Sequence, residues 1–125
     1  MDYQNTMLEV LGIENVELTK DKVVMTMPVG PKTHQPLGLL HGGASVALAE
    51  SAASIGTYLN IDPDTQAAVG IEINANHIRS KKSGIVTAIA VPLHRGRRTM
   101  VWDIKITDEE GNLISVSRCT TAIVG

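Results

Sequence analysis

Only one stretch of this chain reads as a long helix, and its apolar residues lie on every side of it. From Leu40 to about Leu59 the sequence is rich in Ala and has no β-branched run, a composition that favours helix. A surface helix would keep one continuous polar face, and this one keeps none, so it reads as buried and wrapped by the rest of the chain. The segments left to wrap it are β-structure. Val16–Leu18 and Lys22–Val29 read as a strand pair turning at Thr19–Asp21, and four longer segments follow the helix: Gln66–Arg79, Gly84–Leu93, Thr99–Thr107 and Leu113–Val124. The third of these alternates Met100, Trp102, Ile104 and Ile106 against Val101, Asp103, Lys105 and Thr107. Short links between the segments favour antiparallel neighbours. A short amphipathic helix at Tyr3–Leu11, ended by Gly12, precedes them, and Pro28–Gly38 reads as a loop. The expected fold is therefore α+β, an antiparallel sheet around one central helix.

The length of 125 residues suits one domain, 1–125, with little room for a second. With no Phe, one Trp and two Tyr, the core must come from Val, Ile, Leu, Met and Ala. A formal net charge of −2 gives no reason to expect a nucleic-acid partner. The single Cys119 excludes an intrachain disulfide and fits a reducing compartment. No segment resembles a signal peptide or a membrane span, and the first residues carry Asp2, Glu9, Glu14 and Glu17. A cytoplasmic protein is expected.

The chemistry concentrates where the loop becomes the helix. His41-Gly42-Gly43 stands at the start of that helix, where backbone N–H groups lack partners and carry partial positive charge. Glycines there let a ligand reach the backbone, which makes an oxyanion hole for a carbonyl that becomes negative during reaction. A simple glycine-rich helix start is the plainer reading. Glu50 then stands mid-helix among Val46, Ala47, Ala49, Ala53 and Ile55, where a charge is costly unless it is paired or used. Ser54 is one turn later on the same face, and an exposed helix edge is the plainer alternative. Glu50 follows Gly42 by eight positions, about 12 Å along a helix. One carbonyl cannot touch both groups of a single helix, so joint action needs two antiparallel helices, as a two-fold dimer supplies.

Basic residues cluster at strand ends, Arg79, Lys81 and Lys82 and then Arg95, Arg97 and Arg98, with His77 and His94 beside them. They suit the phosphates of a nucleotide-bearing thiol, or form a solvated loop face. No GxxxxGK[ST] run or HExxH spacing occurs, so neither a nucleotide triphosphatase nor a metal site is expected. Met25, Met27, Met100 and Trp102 read as core, and Cys119 has no feature of a nucleophile.

Taken together, Gln35-Pro36, His41-Gly42-Gly43-Ala44-Ser45 and Leu48-Ala49-Glu50-Ser51 resemble the hotdog-fold acyl-CoA thioesterases of the PaaI-like and 4-hydroxybenzoyl-CoA type. Within these, the sequence looks most like the enzymes acting on 1,4-dihydroxy-2-naphthoyl-CoA in menaquinone and phylloquinone synthesis. The likeness runs from about Pro28 to the C-terminus and includes Gly70–His77, Arg79-Ser80 and Pro92-Leu93-His94. It implies a homodimer joined edge to edge, often doubled to a homotetramer, with composite active sites and no cofactor beyond the coenzyme A of the substrate. Glu50 matches the family's catalytic carboxylate, as nucleophile or as base for water, and the Gly42 N–H matches the group polarising the thioester carbonyl. His41 and Gln35 match residues at the helix entry, and Ser54 a positioning hydroxyl. Gly70, the segment His77-Ile78-Arg79-Ser80 and the segment His94-Arg95-Gly96-Arg97-Arg98-Thr99 match places where the family holds coenzyme A. Two alternatives stay open at this stage: a hotdog dehydratase or isomerase on acyl thioesters, and a non-catalytic acyl-CoA-binding module. Nothing in the first 25 residues matches a motif.

Overall fold

The computed structural model describes residues 2–125. In chain order these form α1 (Met7–Leu11), β1 (Glu14–Leu18), β2 (Val23–Val29), α2 (Gly42–Tyr58), β3 (Ala67–His77), β4 (Gly84–Arg95), β5 (Thr99–Thr107) and β6 (Leu113–Val124). All six strands make one antiparallel sheet in the order β1-β2-β4-β5-β6-β3. After α2 the chain crosses to the far edge, so β3 pairs only with β6 and its other side is open.

Alternation puts Val23, Met25, Met27 and Val29 of β2, Val86, Ala88 and Ala90 of β4, and Met100, Trp102, Ile104 and Ile106 of β5 into one buried layer. Against that layer lie Leu48, Ala49, Ala52, Ala53 and Ile55 of α2. Alanines on both sides bring helix and sheet close together, and Trp102 fills the one deep gap. Gly56 makes that possible, because a Cβ there would run into the Trp102 ring. The indole N–H donates to Thr57 Oγ1 at 2.9 Å, and the Thr57 and Thr121 hydroxyls share a hydrogen bond of 2.6 Å. This buried polar lock joins α2, β5 and β6 and fixes where the helix sits along the sheet.

Several expectations need correction. The sheet does not enclose α2 completely: Val46, Ala47, Glu50, Ser51 and Ser54 form a half-buried stripe, which the edge strand β3 meets at Glu50. α1 starts at Met7 rather than Tyr3, because Asn5 turns at φ 63° and the Thr6 hydroxyl donates to the Tyr3 carbonyl. α2 starts at Gly42, since His41 is its extended N-cap. β3 is shorter than expected, as the Ile78 and Arg79 N–H groups both donate to the Ile114 carbonyl. β4 is longer, continuing past a bulge at Pro92–His94 to pair Arg95 with Met100. No helix among the described residues is long and apolar enough to cross a membrane.

Thr57→Val keeps the shape of the lock but strands the Trp102 N–H and leaves the Thr121 hydroxyl only the Met100 carbonyl at 3.5 Å. It should cost about 1–3 kcal/mol of stability in urea denaturation, while Thr57→Ser should stay near wild type.

Candidate active site

His41 shapes the entry to α2. Its backbone N–H donates to the Thr33 carbonyl at 2.8 Å, and its ring Nδ1 accepts the Gly43 N–H at 2.7 Å. With Nδ1 used as an acceptor, the neutral ring carries its proton on Nε2. The Gly42 N–H, one residue earlier, makes no hydrogen bond among the described residues. It opens into a cavity of about 280 Å³ shared with Gln35, Ser45, His77, Arg79 and Ser80. Gly42 lies directly under His77: a Cβ there would stand 2.7 Å from His77 Nε2. The Gln35 side chain bonds the Leu37 N–H, and the Gln35 carbonyl accepts the Gly38 N–H at 2.9 Å, so the preceding loop is pinned by its own turn. Of the residues singled out in the sequence, Gln35, Gly42, His77, Ile78, Arg79 and Ser80 thus gather at one end of the sheet.

Glu50 lies elsewhere. Its half-buried carboxylate opens into a second cavity of about 480 Å³, with Ser54 and Ser51 on the same wall. Among the described residues the carboxylate has no hydrogen-bonding or ion-pair partner. Gly70 of β3 packs against the Glu50 carboxylate, and a Cβ at that position would overlap Oε2. Gly70 is therefore neighbour to the carboxylate rather than to the Gly42 cavity. The far wall of this second cavity is α1 and the residues before it, among them Tyr3, Met7 and Leu8. Sequence reasoning missed these, since a five-residue helix with no polar motif carries no chemical signature. Their only signal was an apolar stripe.

The basic residues divide. Arg79 borders the Gly42 cavity, whereas Arg97 and Arg98 line a cavity of about 500 Å³ with Gln66 and the chain end at Gly125. Arg95 is engaged by Asp21, and Lys81 pairs with Glu109 at 2.6 Å, so neither cation is free. Gly96 closes the β4–β5 turn against His94, with its N–H donating to the Thr99 carbonyl at 2.8 Å. The registers Ala67↔Val124 and Thr99↔Ala122 put His94–Thr99 near the start of β3, while His77↔Ser115 puts His77–Ser80 at its finish. Within one protomer the two segments occupy opposite ends of the sheet. Cys119 is sealed between sheet and helix; burial, then Glu50 and Glu72, push its thiol up to about 12. Among the described residues no group of three or more His, Cys, Asp or Glu is placed to hold a metal ion.

A sheet laid on one central helix, with an unpartnered N–H at the helix start and a carboxylate two turns on, is the architecture of hotdog enzymes that hydrolyse thioesters. Residues 37–115 match the family model described as the thioesterase superfamily, and this chain belongs to that family. By fold and kinship it is a thioesterase. A 1,4-dihydroxy-2-naphthoyl-CoA hydrolase from Listeria monocytogenes is 54% identical over 92% of this chain and 93% of its own. A mutant thioesterase from Pseudomonas aeruginosa superposes with a TM-score of 0.95, at 44% identity over 98% of this chain and 88% of that one. A Staphylococcus aureus thioesterase has been solved with a glutamine replaced by alanine (TM-score 0.93, 46% identity, 95% and 98% of the two chains) and with a glutamate so replaced (TM-score 0.92, 48% identity, 94% and 97%). The two replaced positions lie fifteen apart in that chain, as Gln35 and Glu50 do in this one.

Two outcomes follow from the geometry. Gly70→Ala should push the Glu50 carboxylate aside and lower kcat by roughly tenfold or more, with the fold intact by circular dichroism. Cys119 should resist a maleimide at pH 8 in the native protein and react once unfolded in urea, because its thiolate is scarce below about 12.

Proposed function

We propose that this single-domain enzyme hydrolyses an aryl-CoA to the free acid and coenzyme A at composite sites, each built from the Glu50 carboxylate of one copy and the Gly42 N–H of another. The observation carrying this reading is where the two groups sit along β3: Glu50 packs at Gly70, near its start, and Gly42 packs at His77, its last residue. Two β3 edges paired antiparallel, with Gly70 opposite the partner's His77, bring one copy's carboxylate beside the other's helix start. β3 suits such pairing, being an open edge of 11 residues that exposes Val69 by 47% and Ile71 by 59%. The same two-fold operation carries His94–Thr99 of one copy toward the His77–Ser80 end of the other. Arg79, Arg97 and Arg98 are then the cations available to the phosphates of coenzyme A. A further doubling of the dimer would give a tetramer.

In the reaction, Glu50 takes a proton from a water that attacks the thioester carbon, or attacks that carbon itself. Negative charge gathers on the carbonyl oxygen, where the Gly42 N–H and the helix dipole hold it. Collapse breaks the C–S bond and releases coenzyme A as thiolate. On the water path the thiolate recovers the proton held by Glu50; on the direct path it leaves an acyl–Glu50 anhydride, which water hydrolyses to the free acid and the Glu50 carboxylate, protonating the thiolate and releasing one proton to solvent. Ser54 and Gln35 position water and thioester, and the His41 Nε2–H can donate into the site. The His41 cap weighs against a dehydratase or isomerase, whose histidine base needs a free ring lone pair. An aryl acyl group is supported by the likeness to the Listeria hydrolase, whose name specifies a naphthoyl-CoA.

Glu50→Gln should lose at least about a hundredfold in kcat while binding acyl-CoA as wild type does. Equal rates would remove Glu50 from the mechanism. Gly42→Pro deletes the N–H at the first helical position, where the backbone accepts proline although the added ring must displace the His77 side chain, and should be inactive alone. Coexpressing the two inactive variants should restore roughly a quarter of wild-type activity, since half the random dimers carry one intact site of two. No recovery on mixing, with dimers formed, would contradict composite sites.

A further inference from the structure

Met7 is 59% exposed, yet it lines both the Glu50 cavity and a smaller one of about 250 Å³ that reaches His41, Gly43 and Ala47. These cavities form one trough along the half-buried stripe of α2, and α1 is its outer wall. None of the five residues of α1 is fully buried, although Met7, Leu8, Val10 and Leu11 are all apolar. A helix this short has little stability of its own. It is instead pinned from outside. The Tyr3 hydroxyl donates to Asn15 Oδ1 at 2.6 Å, Gly12 turns at φ 75° against the Pro28 ring, and Ile13 is buried in the core.

We infer that α1 is the acyl-selecting element of the enzyme: the acyl half of the thioester lies between α1 and α2, and Met7 sets the size it admits. This rests on Glu50 being the reacting carboxylate, because the wall is defined by facing it. The two sides of the trough differ in chemistry. Met7 and Leu8 offer flexible apolar surface to one face of a ligand. Ala47 leaves room opposite, and Ser51 and Ser54 border Glu50. The Ser51 hydroxyl donates to the Ala47 carbonyl at 2.6 Å and keeps its lone pairs for a ligand donor. Such a slot suits a compact ring acyl with a polar edge, and its volume falls within the range of small-molecule sites. Met7, with three rotatable bonds at the mouth, adapts the wall to ring size.

The test is kcat/KM of the full-length enzyme for acetyl-, benzoyl- and 2-naphthoyl-CoA. Met7→Trp narrows the slot and should lower the naphthoyl-to-acetyl ratio by at least about tenfold. Met7→Ala widens it and should shift the naphthoyl-to-benzoyl ratio several-fold the other way. Val10→Ser, on the 60%-exposed outer side of α1, should leave all ratios as in wild type. Unchanged ratios in a folded Met7→Ala and a folded Met7→Trp overturn the inference, as does an equal shift in Val10→Ser. Glu50→Gln, assayed alongside, separates the two failures: full turnover there defeats the proposed mechanism, whereas its loss together with unchanged Met7 ratios defeats only the role of α1.

Discussion

How α2 is seated on the sheet decides nearly everything else about this molecule. Alanines at 49, 52 and 53 meet small side chains of the strands, and Trp102 slides over Gly56 to donate to Thr57. A helix held this closely cannot slide or roll without clashing or leaving polar atoms stranded in the core. Its rotation is therefore fixed, and with it the half-buried stripe away from the core. Glu50 belongs to that stripe. The carboxylate has a defined position because alanines and a tryptophan on the opposite face have one.

Much of the fold was legible in the sequence because its signals are local and strong. Alternation marked β5 and the inward residues of β2, and alanine content marked α2. The ends were less legible. His41 is not among the usual cap residues, yet its ring accepts the Gly43 N–H and begins the helix one residue later. β4 outran its expected end at Leu93 because a bulge absorbs Leu93 between the pairs Pro92–Trp102 and His94–Val101, and pairing resumes to Arg95. The buried reading of α2 was right for the face on the sheet and wrong for the other. An apolar count around a helix cannot tell a face covered by strands from one left open for a ligand.

The site divides in the same way. Gly42 and Glu50 stood out because a glycine pair at a helix start and a charge among alanines both need explaining. The sequence placed Gly70 beside coenzyme A only through family likeness, whereas the structure sets it against the Glu50 carboxylate. That contact joins residues twenty positions apart across a loop, and no spacing rule could reveal it. The basic residues were read as one group, but Asp21 and Glu109 occupy two of them, since ion pairing depends on which loops meet in space. The α1 wall left the faintest trace.

Gly70 and Gly42 are linked by a common requirement. Each is a place where a Cβ would strike a side chain, the Glu50 carboxylate in one case and the His77 ring in the other, and both side chains lie along the edge strand β3. An isolated protomer gains nothing from clearing both places, because its own Glu50 and Gly42 open into different cavities. Two copies joined through that edge gain a great deal. The proposed antiparallel pairing exchanges the ends of β3, so Gly70 of one strand would lie opposite the partner's His77 and the helix start beneath it. The bare backbone at the two glycines is then best understood as a feature of the pair. On the proposed pairing, a reaction that needs a base on one side of a carbonyl and a positive dipole on the other would be obtained from a single gene product by symmetry.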